Sequence, residues 1–196
     1  MATWNPLEVH TRILTPPASE PVSIKQAKKQ LELLEAEDAH DEQLQLLIEV
    51  ARDSVERDCG LALLTQTVEH VQAGFTEAIQ LQRRPVQSVT SVQYYDDGNT
   101  LRTLSTSIWQ LNPSKERIEL QYEEDWPTTS DRWDAVKVTY VAGYLSPALV
   151  PASLRQAMLL KIGYLFENRD QLSNDIIYNE AAYERIMRRW MRPSYP

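Results

Sequence analysis

Residues 88–105 read SVTSVQYYDDGNTLRTLS. Two β-rich runs flank the DDGN at 96–99, where Gly98 or Asn99 can adopt positive φ, so the stretch predicts a hairpin. It is the strongest local signal in the chain, and its neighbours share its character. LLTQTVEHVQA at 63–73 is rich in Thr and Val with partial alternation, as a half-buried strand requires. AIQLQR, IWQLN, RIELQY and AVKVTYVAGY supply further strands. Residues 61–143 are therefore expected to form one β-rich unit.

On both sides of that unit the apolar period lengthens. Before it, Leu44, Leu47, Ile48, Ala51 and Val55 recur on one helical face, with Asp41 or a neighbour as cap and Gly60 as terminator. A shorter helix starts at PVSIKQAKKQL, where Ser23 is suited to the N-cap, and ends near Leu34. After the β unit, Pro151 opens a helix whose apolar positions, among them Leu154, Ala157, Met158, Leu160, Ile162, Tyr164 and Leu165, surround so much of its circumference that a buried helix is predicted. Its end, Glu167, Asn168, Arg169 and Asp170, has no catalytic partner within sequence reach and reads as a solvated terminus. A last helix follows at NEAAYERIMRRWM. The expected fold class is α+β: a helical bundle from the N- and C-terminal helices, residues 22–60 and 144–191, with an inserted β-rich unit at 61–143. Residues 1–21 read as an extended N-terminal arm, since Pro6, Pro16, Pro17 and Pro21 disfavour regular structure, and 192–196 as a C-terminal tail.

The totals narrow the function. The 196 residues are 42% apolar and 24% charged, an ordinary balance for a soluble globular chain. Twenty Lys and Arg against 28 Asp and Glu leave a net charge of -8, which opposes a dedicated nucleic-acid binder but does not exclude a protein that DNA passes without adhering. The single cysteine, Cys59, precludes an internal disulfide and reads as a small buried apolar residue, in keeping with a reducing compartment. The opening residues do not resemble a signal peptide, and no run reaches the roughly 20 apolar residues of a membrane span, so a cytoplasmic site of synthesis and use without membrane contact is expected.

Catalytic motifs find little support. His10, His40 and His70 show no metal-ligand spacing, and there is no GxSxG elbow, P-loop or GxGxxG. EEDWPTTSDRWD sets Glu123, Glu124, Asp125, Asp131 and Asp134 beside Trp126 and Trp133, the composition of a glycosidase site. That chemistry needs one carboxyl held protonated in an apolar pocket, however, and the stretch reads as an exposed loop. No enzyme activity, catalytic residue, cofactor or metal is expected.

The most distinctive chemistry lies in YERIMRRWMRPSYP. Tyr183, Ile186, Met187 and Trp190 share one helical face with Met191 at its edge, and Arg185, Arg188, Arg189 and Arg192 make the remainder basic. Such a helix either docks on its own core or offers a partner interface, for which Trp, Met and Arg are suited. A third reading is single-strand nucleic-acid binding through the arginines and aromatics, as in a DNA-packaging accessory.

Several stretches together resemble the head–tail connector (head-completion adaptor) proteins of tailed phages. They are VSIKQAKKQL, DEQLQLLIEVARDSVERDCGLALLTQTVE, RRPVQSVTSVQYYDDGNTLRTL, WPTTSDRWDAVKVTYVAGY and VPASLRQAMLLKIGYLFENRD, in this order from Val22 to Asp170. The resemblance implies a structural virion protein without enzymatic activity. It would assemble in host cytoplasm, self-associate into a ring of about twelve subunits beneath the portal protein, extend the DNA channel without specific binding to DNA, and carry the stopper or tail-completion protein. It also strengthens the reading of Tyr183, Ile186, Met187, Arg188, Arg189, Trp190 and Met191 as a partner interface. Asp96, Asp97, Glu123, Glu124, Asp125 and Asp131 are then candidates for loops facing the lumen or the tail.

Overall fold

The computed structural model describes residues 8–36, 38–114, 116–168 and 177–191, with backbone alone at 177–180. The fold is mixed α+β, with two antiparallel sheets and, among the described residues, four α-helices. The chain divides into a β unit, 1–16 with 65–143, and a helical unit, 17–64 with 144–196.

The β unit holds strands β1 (Val9–Thr15), β2 (Gln66–Gln72), β3 (Ala78–Gln80), β4 (Val86–Tyr95), β5 (Leu101–Thr103), β6 (Trp109–Asn112), β7 (Arg117–Leu120) and β8 (Val136–Ala142). One sheet has the order β1-β2-β8-β4-β5 and the other β3-β7-β6. Alternation sets the register. In β8, Val136, Val138, Tyr140 and Ala142 are buried while Lys137, Thr139 and Val141 stay partly open, the two-residue period of a one-sided strand. Val68, Ile79, Leu81, Val92 and Ile118 complete the apolar interior. The hydroxyl of Tyr140 accepts the Arg83 N–H at 3.0 Å.

Within the stretch read as an extended arm, Val9–Thr15 is no separate segment: it pairs with β2 from Val9 opposite Gln72 to Thr15 opposite Thr67. Its exposed pattern hides this role from a hydropathy reading, because an edge strand buries almost nothing. Pro16 and Pro17 follow, and proline has no N–H with which to extend the ladder. His70 in β2 is fully buried, with Nε2 2.7 Å from Gln72 Oε1. Gln72 donates its own amide to Gly74 O, so Oε1 is the acceptor and His70 carries its proton on Nε2. Burial lowers the histidine's pKa, opposed only in part by the bond to Gln72.

The helical unit holds α1 (Ile24–Gln30), α2 (Asp41–Cys59), α3 (Ala152–Glu167) and α4 (Ile177–Met187). Ser23 caps α1 in a reciprocal box with Gln26. At α2 the N-cap position falls to His40, which makes no side-chain cap bond; Asp41 and Glu42 occupy the first turn, where carboxylates favour the helix dipole. Gly60 ends α2 at φ 62°, the left-handed conformation that glycine adopts without penalty. The shared core includes Leu44, Ile48, Ala51, Val55, Leu154, Met158, Ile162 and Met187. α3 is less enclosed than its composition predicts. It buries Leu154, Ala157, Met158 and Ile162 and leaves Leu160, Tyr164 and Leu165 partly open. Its end is solvated as expected: Glu167 is exposed and Asn168 returns its side chain to Tyr164 O at 2.8 Å. Arg169 and Asp170 lie outside the described residues.

A buried carboxylate ties α2 to the chain on both sides of it. Glu56 is fully enclosed; its Oε1 accepts the Leu63 N–H at 2.7 Å and its Oε2 lies 3.4 Å from Arg52 Nη1. Arg52 Nε donates in turn to Glu20 Oε2 at 2.9 Å. A carboxylate out of water is tolerated here because a backbone donor and a guanidinium replace its hydration.

Candidate partner interfaces

The two acidic loops singled out from sequence, 96–99 and 123–131, are joined in the β unit. The hairpin closes with the Asn99 N–H donating to Asp96 O at 2.7 Å and the Asp96 N–H to Thr100 O at 3.0 Å. Of the two residues able to adopt positive φ, Asn99 does so, at 58°. Asp96 accepts Arg102 Nε at 2.8 Å and the Thr100 N–H at 2.9 Å. Those bonds, the arginine's first, hold its carboxyl below the usual range.

The second loop is tied to this hairpin at three points. Thr128 Oγ1 donates to Asp97 Oδ2 at 2.8 Å, the Ser130 N–H to Tyr95 O at 3.0 Å, and Arg132 Nη1 to Asn99 Oδ1 at 2.8 Å. The Arg132 guanidinium also lies 3.6 Å from the Tyr95 ring centroid and pairs with Asp134. Burial disfavours the charged form of Asp134, but Arg132 and Lys137 outweigh it and its pKa is lowered. Trp126 stacks on Phe75 at 4.6 Å. Asp97, Glu123, Glu124, Asp125 and Asp131 remain exposed on this braced frame, and Asp96 is half-buried. Clustered solvated carboxylates repel phosphate. They lack the apolar enclosure that keeps a catalytic carboxyl protonated, so the geometry gives the glycosidase reading no support.

Sequence reasoning identified the acidic residues but not their bracing. Arg132, Thr128 and Phe75 carried no periodic signal, because the contacts that matter bridge more than 30 positions and involve loop residues.

The terminal helix separates its candidates into two groups. Tyr183 and Met187 are buried in the unit's own core, and Ile186 and Trp190 pack partly against it. Tyr183 donates its hydroxyl to Asp58 Oδ2 at 2.8 Å; burial first, then that bond, pushes its pKa up. Trp190 Nε1 donates to Ser153 Oγ at 3.2 Å. These side chains therefore fasten α4 to its own chain, since the face shared by Tyr183 and Met187 is the one the core needs. Arg188, Arg189 and Met191 are exposed, as is Arg185; Arg192 lies outside the described residues.

Among the described residues no group of three or more His, Cys, Asp or Glu could hold a metal ion, and no helix is long and apolar enough to cross a membrane. No family model matches the sequence. No curated protein matches it either. Solved structures do match the fold along nearly the whole chain. It is the fold of chains from a gene transfer agent particle. A chain of the neck of the empty particle, computed with C6 symmetry, superposes with a TM-score of 0.77 at 19% identity, covering 95% of this chain and 97% of that one. A chain of the native virion gives 0.72 at 18% identity over 95% and 97%. A chain of the native neck, computed with C12 symmetry, gives 0.66 at 20% identity over 91% and 96%. The likeness thus extends over residues of both the helical and the β portions of this protein.

Proposed function

We propose that this chain is a structural protein of a phage-like virion neck, a head–tail connector that docks as a ring beneath the portal. It extends the DNA channel and offers the surface on which the stopper or tail attaches. The observation that carries this reading is the likeness in fold, over 95% of the chain, to a chain of a particle neck. The net charge of -8 and the braced acidic loops agree with it, because a channel that releases DNA must not bind phosphate.

In this reading Asp96, Asp97, Glu123, Glu124, Asp125 and Asp131 face the lumen or the next tail component. The exposed residues just past the last helix, Arg188, Arg189 and Met191, meet a partner protein, while Tyr183, Ile186, Met187 and Trp190 hold that helix in position. The chain does structural rather than catalytic work.

Removal of the gene from the phage that encodes it tests the proposal. The expected product is DNA-filled heads without tails, restored to infectious particles when the chain is supplied in trans. Empty heads would instead indicate a packaging accessory, and normal particles would refute a role in the neck.

A further inference from the structure

Two faces of the helical unit point away from its core and are complementary in charge. On α2, Leu44, Ile48, Ala51 and Val55 face inward, so helical periodicity carries Glu42, Leu46, Glu49, Val50 and Asp53 to the opposite side. Leu46 is 59% and Val50 41% exposed, an apolar pair one turn apart between carboxylates. Asp53 is partnered by Arg57 at 3.6 Å, and Glu49 accepts the Gln45 amide at 3.3 Å. On α4 and the turn after it, Tyr183 and Met187 face inward, which carries Arg185 and Arg189 outward. Arg188 is engaged by Glu184 at 3.3 Å. Met191 beside them is 44% exposed.

One face thus sets an exposed Leu–Val pair among carboxylates, with Arg57 at its C-terminal end, and the other sets exposed arginines near one exposed methionine. Each lies on the far side of its helix from the shared core, so one copy cannot bring its own two faces together. Two different complementary patches on one body join head to tail, and repetition of that step closes a ring when the rotation allows.

We propose that the α2 face of one copy, Leu46 and Val50 flanked by Glu42 and Glu49, receives Arg185, Arg189 and Met191 of the next copy. The proposal rests on the connector reading and names the partner of its exposed basic residues as a second copy of this chain. Charges at the edge of such a contact set register and choice of neighbour, while the apolar pair supplies the burial.

The test is charge reversal with rescue, read by mass photometry of the protein with purified portal rings of the same phage. Arg189→Glu and Glu49→Arg, each alone, are expected to raise the concentration needed for ring formation about tenfold or more. The double variant is expected to recover most of that loss. Thermal melts within a few degrees of the parent establish that the surface substitutions leave the fold intact. As a second readout, Leu46→Cys with Met191→Cys should give a disulfide-linked ladder under oxidation, because Cys59, the native cysteine, is buried. If the parent forms rings on the portal while the single variants assemble equally well, the interface is overturned and the connector reading stands. If Arg189→Glu weakens assembly and Glu49→Arg neither weakens nor rescues it, the arginines face the portal or DNA, and the interface is again overturned. If the parent forms no ring on the portal, the connector reading fails and takes this proposal with it.

Discussion

The acidic loop pair of the β unit and the terminal helix of the helical unit both looked, as sequence, like surfaces offered to partners. They are built in opposite ways. The loop pair keeps its distinctive residues in water and uses a few others as braces: Arg132, Thr128 and Trp126 hold the frame while Asp97, Glu123, Glu124, Asp125 and Asp131 stay exposed. The helix puts its most distinctive residues, Tyr183 and Met187, into its own core and leaves the arginines outside. In the first region the unusual composition is the surface itself. In the second it is the anchor, and the surface is what remains.

That contrast can be broken in order of expected effect. Met187→Ala removes a fully buried side chain from the helical core and should cost about 2–5 kcal/mol in chemical denaturation. A loss under about 0.5 kcal/mol would mean that α4 is not an anchor. Combined with Trp190→Ala, the substitution separates the two readings of the helix: a docking element would lose assembly with the fold intact, whereas the buried position of Met187 makes a fall in stability the expected outcome. Arg132→Ala should cost less, about 1–2 kcal/mol, because the residue is partly solvated and Lys137 still serves Asp134. Its signature should be local: faster amide exchange at 96–100 and 128–131, with α2 and α3 unchanged.

A third test uses pH. His70 has a lowered pKa in the folded chain, so the unfolded chain binds more protons at mildly acid pH. Its contribution is fully present above the unfolded value of 6.5 and falls away as pH drops from there towards the folded pKa. His70→Phe should flatten that part of the stability curve; an unchanged slope would show that another group carries it. The smallest effect is expected from Glu124→Gln with Asp131→Asn. Both residues are solvated, and stability should stay within about 0.5 kcal/mol of the parent with particle assembly unimpaired.

Much of this fold is legible in the sequence. The Asp96–Asn99 turn, the β-rich runs, Gly60 and Pro151 are local signals, and each marks its element within a few residues. The edge strand Val9–Thr15 was not legible as a strand, because what defines it is pairing with residues more than 50 positions away rather than a buried face. The openness of α3 was also hidden, since apolar composition says that a surface wants cover and not which neighbour supplies it. At the candidate interfaces, residue types were readable and their orientation was not: helical spacing grouped Tyr183 with Met187 correctly, but only packing reveals that this group faces inward.

A connector must form a ring beneath the portal. The most direct measurement is mass photometry of the parent protein mixed with portal rings purified from the same phage. The expected result is a discrete mass increase of one copy per portal subunit. No shift at micromolar concentration would contradict the connector reading.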